Sequence, residues 1–160
     1  MTQLYIFKRK LPKIDFNKEI NINIGCGPRN EIGFIGLDMR DCGQEIIWDA
    51  REGIPLPDNT VTKIWTSHFL EHLTDQENKD FFRECYRVLK IGGLCQNLVP
   101  HQEDPAAYYF DHKTFWNEHR AMTIPTLEGL NGFNIVRCEK LEQPNERKFK
   151  ELLFLIEKIK

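Results

Sequence analysis

Residues 20–38 read Ile20-Asn-Ile-Asn-Ile-Gly-Cys-Gly-Pro28-Arg-Asn-Glu-Ile-Gly-Phe34-Ile-Gly-Leu-Asp38. A short β-type run ends in Gly25-Cys26-Gly27, and a second such run ends in an acid. Glycine has no Cβ, so its N–H can approach a ligand and its φ can turn positive. Bare backbone at the end of one strand, with a carboxylate at the end of the next, is how open parallel α/β sheets bind nucleoside-like ligands.

Further strand-like runs are Glu45–Trp48, Val61–Thr66, Leu94–Val99 and Phe133–Cys138. Thr74 with Glu77 makes a capping box for a helix over Asp75–Lys90. Phe81, Phe82, Cys85, Val88 and Leu89 form its apolar stripe, and Gly92-Gly93 stops it. A second helix is expected over Lys113–Met122 and a short one over Thr126–Leu130. Strands and helices in this alternation predict an α/β fold with a mostly parallel sheet. The last segment, Phe149–Ile159, suits a helix by spacing and composition, or a strand buried on both faces.

At 160 residues the chain is expected to form one domain. It divides into an N-terminal extension (1–18), a ligand-binding core (19–100) and a substrate-side remainder with the C-terminal strands (101–160). A formal charge of −2 gives no reason to expect nucleic acid or an anionic membrane as a partner. No apolar run approaches the ~20 residues of a membrane span. The start has its charges after a very short apolar stretch, the reverse of a secretory signal, so a cytoplasmic location is expected. Five scattered cysteines without a Cys-x-x-Cys pair fit a reduced compartment. Cys26, with no histidine beside it in sequence, reads as a small spacer rather than a nucleophile.

Four pieces fall at strand ends: Gly25-Cys26-Gly27, then Asp38, then Asp49-Ala50 with Ile54-Pro-Leu-Pro-Asp58, then Ser67-His68-Phe-Leu-Glu71-His72. A carboxylate suits the vicinal hydroxyls of a ribose, and a second can accept from an exocyclic amine. In order and spacing, Ile24-Gly-Cys-Gly27, Gly36-Leu-Asp38, Asp49 with Ile54–Asp58, His68-Phe-Leu-Glu-His-Leu73 and Leu89-Lys-Ile-Gly-Gly93 resemble the class I S-adenosylmethionine-dependent methyltransferases. The likeness is strongest to the short methyltransferase type 11-like members and runs from about Ile20 to Pro100. It implies a Rossmann-like sheet of order 3-2-1-4-5-7-6 with an antiparallel last strand. It also implies S-adenosyl-L-methionine as cofactor and a methyltransferase acting on a small-molecule, sugar or lipid-precursor acceptor. Carried over by position, Gly25 and Gly27 face the methionine part, Asp38 the ribose, Asp49 the adenine, and Ser67 and His68 the sulfonium region; Cys26, Met39 and Ala50, beside them in sequence, are expected among the cofactor-binding residues. Without an Asn/Asp-Pro-Pro-Tyr/Phe run after strand four or a Pro-Cys nucleophile, the family's DNA-modifying branches are disfavoured.

Three features depart from the pattern. Ile91 stands where proline is usual, and Pro28-Arg29-Asn30 replaces a third glycine. Only six residues (28–33) separate Gly27 from Phe34, and Met39–Gln44 is as short. A parallel crossover normally takes ~10–12 residues with its helix, so the first two crossover helices are expected to be missing. The Ile–Asn alternation of 20–24 agrees: isoleucines toward the remaining helices, Asn21 and Asn23 toward a stripped face. Gln96 and Asn97 are likewise unusual for a strand buried on both sides. Residues 1–18, the C-terminal segment, or another subunit (a homodimer or a partner) are the candidate covers for that face.

His68, His101 and His112 are the candidate catalytic groups, as general base or substrate-fixing residue. His68 and His72 stand i, i+4 around Glu71, but the order differs from a zinc helix motif and no third ligand is evident, so no metal is expected. Tyr108–Phe110, Phe115 and Trp116 suit either a substrate pocket or core packing. A nicotinamide oxidoreductase would need Gly-x-Gly-x-x-Gly opening a helix and an acid ~20 residues on, which this chain lacks. The remaining alternative is a degenerate methyltransferase fold that binds or interacts without turnover.

Overall fold

The computed structural model describes Arg9 and residues 11–142 and 149–160. Seven strands form one sheet: β1 (Asn21–Ile24), β2 (Ile35–Asp38), β3 (Ile46–Ile47), β4 (Val61–Ser67), β5 (Leu89–Pro100), β6 (Phe133–Glu142) and β7 (Lys150–Lys158). Their order is β3-β2-β1-β4-β5-β7-β6, as the resemblance implied. The first five run parallel, and β7 inserts antiparallel between β5 and β6. The C-terminal segment is therefore a strand. Leu152–Phe154 are all buried, and the strand is paired along both edges, with β5 and with β6.

Two α-helices occur among the described residues, α1 (Asp75–Val88) and α2 (Glu118–Met122). The Thr74–Glu77 capping box opens α1 as expected. The helix stops two residues short of Lys90, because Leu89 is already paired with Val61 in β5. The expected helix over Lys113–Met122 begins only at Glu118. Trp116 bridges to His101 and Asn117 caps the helix by accepting from the Arg120 N–H, so 113–116 stay extended. No helix forms over Thr126–Leu130; a single 3₁₀ turn, Ile124–Thr126, precedes it, with Pro125 at its start.

Both helices pack on one face of the sheet. Ile22, Ile24 and Ile64 are at most 1% exposed and join Phe81, Phe82 and Ala121 in one core cluster. Burying an apolar side chain of this size contributes about 1.5–3 kcal/mol. Trp116 stacks on Phe154 in the same core, at 5.3 Å between centroids. The opposite face carries neither helix. There Trp65, Leu94, Gln96 and Leu155 are half-buried and Lys63 is exposed, around a concavity of about 530 Å³. β7 lies within the sheet and leaves this face open, which removes the C-terminal segment as its cover. Ile14 packs against the core cluster on the helix face, and residues 1–8 and 10 lie outside the described residues.

Asn97 lies on the covered face instead, wholly buried, where its Oδ1 accepts from the Thr66 hydroxyl at 2.8 Å. Asn23 is only 3% exposed, because the 25–34 loop folds over it: its Nδ2 donates to Asn30 Oδ1 at 3.3 Å.

The two short crossovers contain no helix, as the spacing predicts. A four-residue strand is only about 13 Å long, so a ten-residue loop can return over it. What a helix would do for the backbone is done by side chains. Gln44, 5% exposed, donates through Nε2 toward the carbonyls of Asp38, Arg40 and Ile46, while its Oε1 accepts from the Cys42 N–H. Asn30 Nδ2 donates to the Phe34 carbonyl at 2.8 Å, and Glu45 accepts from the Gly36 N–H at 2.8 Å. Removing such a partner leaves buried polar groups unsatisfied. Gln44→Ala is expected to cost about 1–3 kcal/mol, read as a lowered urea midpoint with an unchanged slope.

Candidate functional site

The carboxyl ends of β1, β2 and β4 surround a cavity of about 460 Å³. This is the position where an open parallel sheet offers backbone and strand-end side chains to a ligand. Gly25 forms its floor with φ +70°, and a Cβ there would stand 2.6 Å from Phe69 Cδ2. The phenyl ring itself is fixed edge-on to Phe81 of α1, at 5.3 Å. Gly25 and Cys26 both donate their N–H to the Leu37 carbonyl, at 2.8 and 3.2 Å, which ties the turn to β2.

Of the residues expected at the site, Gly25, Asp38, Met39, Asp49, Ala50 and His68 line this cavity. Cys26, Gly27, Ser67, His101 and His112 are not on its wall. Gly27 acts from behind, donating its N–H to Asp38 Oδ2 at 2.9 Å. Cys26 is buried, and burial together with the Asp38 charge pushes its thiol up to about 11, so it is an inert spacer. His101 is 2% exposed and committed elsewhere: Nδ1 accepts from the Glu103 N–H and Nε2 faces Glu118 at 3.1 Å.

Both acids are engaged by an arginine two residues on, a feature the strand-end pattern did not reveal. Asp38, 5% exposed, accepts through Oδ1 from the Arg40 N–H (2.9 Å) and Nε (3.3 Å). Asp49 caps the 3₁₀ turn Ala50–Glu52 and binds Arg51 through both oxygens, at 2.6 to 3.1 Å. Hydrogen bonding to Arg51 holds the Asp49 carboxyl below its ordinary range. The repeated Asp-x-Arg at 38–40 and 49–51 is the sequence signal for this. A carboxylate has about four acceptor sites, so Asp38 keeps capacity for a ligand hydroxyl.

His68 stands on the opposite wall with φ 51°, an uncommon conformation for a non-glycine residue. Its Nδ1 is 3.4 Å from Glu71 Oε1 and its Nε2 is 2.9 Å from Glu151 Oε1. The Glu71 carboxylate, then Glu151, raise the imidazole pKa against the opposing effect of burial. Two carboxylates beside the ring favour its protonated form, which works against a role as general base. His72 and Asp111 complete that wall. His112, next in sequence, packs edge-on against the His72 ring at 4.8 Å.

The aromatic residues divide. Trp116 is core, whereas Tyr108, Tyr109, Phe110 and Phe115 are exposed, three of them on the loop that carries Asp111. No helix of the described residues is long and apolar enough to cross a membrane.

A family model described as a methyltransferase domain matches residues 39–96, less than half of the chain. No curated protein sequence matches. Among solved structures, the chain is similar to a SAM-dependent methyltransferase from Archaeoglobus fulgidus, at 18% identity and TM-score 0.66, covering 88% of this chain and 86% of that one. It is similar to geranyl diphosphate C-methyltransferase from Streptomyces coelicolor A3(2), solved with Mg2+, geranyl diphosphate and S-adenosyl-L-homocysteine. That match has 12% identity and TM-score 0.66 and covers 88% and 74%. The [4+2]-cyclase SpnF matches at 15% identity and TM-score 0.65, over 88% and 74%. The fold is that of the class I S-adenosylmethionine-dependent methyltransferases.

Gly25→Ala is expected to destabilise the protein by at least about 2 kcal/mol, through left-handed strain plus overlap with Phe69. Gly33→Ala, also at positive φ but with nothing within 4 Å, is expected to lose only about 1 kcal/mol. Urea melts of the two variants measure the difference.

Proposed function

We propose that the chain is an S-adenosyl-L-methionine-dependent methyltransferase acting on a small-molecule acceptor. The observation that carries this is the cavity at the ends of β1, β2 and β4, with bare backbone at Gly25 and a buried carboxylate at Asp38. Its volume, about 460 Å³, suits a ligand of nucleoside size with an amino-acid tail. The methyltransferase-domain match over 39–96 supports the same cofactor.

In this reading Gly25 admits the tail, Asp38 accepts from a ribose hydroxyl with its remaining capacity, and Asp49 with Ala50 borders the base. The cofactor, when bound, supplies an already activated methyl group. The protein then has to align the acceptor and exclude water. Leu37, Phe69 and Leu73 supply the apolar wall that keeps water out. His68, held between Glu71 and Glu151, orients the acceptor rather than deprotonating it. The exposed aromatic loop beside Asp111 favours an acceptor with an apolar or planar portion.

A second reading, a module that binds without turnover, is favoured by one observation: both acids are already engaged by Arg40 and Arg51. Titration calorimetry separates the two classes. S-adenosyl-L-homocysteine is expected to bind the wild type, with Asp38→Ala weakening it at least about tenfold through the lost charge-assisted hydrogen bond. Absence of binding by both the methylated and demethylated cofactor rules out the enzyme reading.

A further inference from the structure

We propose that Glu71, His72 and His112 form a binding site for a divalent transition-metal ion, zinc being the natural occupant, at the His68 end of the cavity. One ligand atom from each residue lies within 4.8 Å of the others. A tetrahedral ion about 2.0–2.2 Å from each donor needs donors about 3.4 Å apart, a gap closed by small rotations of two half-buried rings. The donor set, two imidazoles and a carboxylate, is one that zinc takes when its fourth position stays open.

The independent observation is the state of Glu71. It is 1% exposed, and neither carboxylate oxygen accepts a hydrogen bond among the described residues. The nearest cationic group is His68 Nδ1, at 3.4 Å from one oxygen only. A buried carboxylate without hydrogen bonds is costly unless a cation sits against it.

The backbone builds the third ligand into place. The N–H groups of Lys113 and Thr114 both donate to the Glu71 carbonyl, at 2.7 and 3.2 Å. This clamp fixes His112 beside Glu71 and His72 although 40 residues separate the two imidazoles in sequence. Each ring also has the outer contact that metal-binding histidines use. His72 Nδ1 lies 3.3 Å from the Asp111 carbonyl and 3.4 Å from its carboxylate, and His112 Nδ1 lies 3.3 Å from the Ala107 carbonyl. An Nδ1–H directed at an oxygen leaves Nε2 with a free lone pair. His72 lines the cavity, so an ion held there would border the space where an acceptor would sit. The site rests on these residues alone and does not require the methyl-transfer reading.

The test uses tag-free full-length protein, stripped with chelator and desalted. Zn2+ is titrated by calorimetry, and Co2+ binding is followed by its visible absorption. The expected result is one Zn2+ per chain, with the intense Co2+ bands of a low-coordinate site. Glu71→Gln and His112→Gln, both near-isosteric, are each expected to weaken Zn2+ at least about tenfold and to abolish those bands. Should Glu71→Gln fail to fold, the more exposed His112→Gln carries the comparison. No Zn2+ binding by the wild type, or binding that survives in His112→Gln, overturns the site. S-adenosyl-L-homocysteine is titrated into the same samples. Cofactor binding without zinc overturns the metal site alone, and zinc binding without cofactor overturns the methyltransferase reading alone.

Discussion

One-sided burial of the sheet is the constraint on which the rest of this structure depends. Side chains alternate between faces along a strand, so placing Ile22, Ile24, Ile64, Cys95 and Ile156 against α1 and α2 commits every intervening residue to the other side. A one-residue slip in β1 would exchange isoleucines for asparagines in the core. The register is therefore strongly determined where a helix covers the sheet. With it is determined which strand ends meet at the cavity: Gly25 beside Asp38, and both across from His68.

Losing two crossover helices shifts a structural burden onto polar side chains. In a helical crossover, backbone groups satisfy each other. In the loops 25–34 and 39–45 they are satisfied by Gln44, Asn30 and Glu45. Gln44 donates to the Asp38 carbonyl, so part of the device that shortens the fold also holds the candidate ribose-binding acid. The polar character of the loops is thus structural, and the open face beyond them keeps an apolar concavity around Trp65, Leu94 and Leu155.

Charge is arranged differently at the two ends of the cavity. On the β2–β3 side each carboxylate has its own arginine, through local pairs set by an i, i+2 spacing. On the β4 side Glu71 and Glu151 both face the His68 imidazole, and the buried Glu71 oxygens accept no hydrogen bond among the described residues. The proposed cation site at this end rests on the buried Glu71 carboxylate.

Much of the fold is legible in the sequence, because periodicity and strand-end residues are local signals. The Gly25-Cys26-Gly27 turn, Asp38, the capping box of α1 and the brevity of the first two crossovers each predict what is observed. So does the stripped face, through the Ile–Asn alternation. Less local features were not legible. Whether Phe149–Ile159 is strand or helix depends on its having β5 on one side and β6 on the other. Extended chain through 113–116 depends on a bridge to His101. In sequence His112 reads as one more candidate base, and Glu71 stands between two histidines with no third ligand in view. Tertiary contacts, among them the hydrogen bonds from the Lys113 and Thr114 N–H groups to the Glu71 carbonyl, bring those residues together. The sequence by itself determined the parallel half of the sheet, its helix-free face and which residues stand at the strand ends around the cavity, since these follow from side-chain alternation and short crossovers. The tertiary structure alone decided the Glu71 end of the cavity, because contacts between segments 40 residues apart leave no periodic trace in the chain.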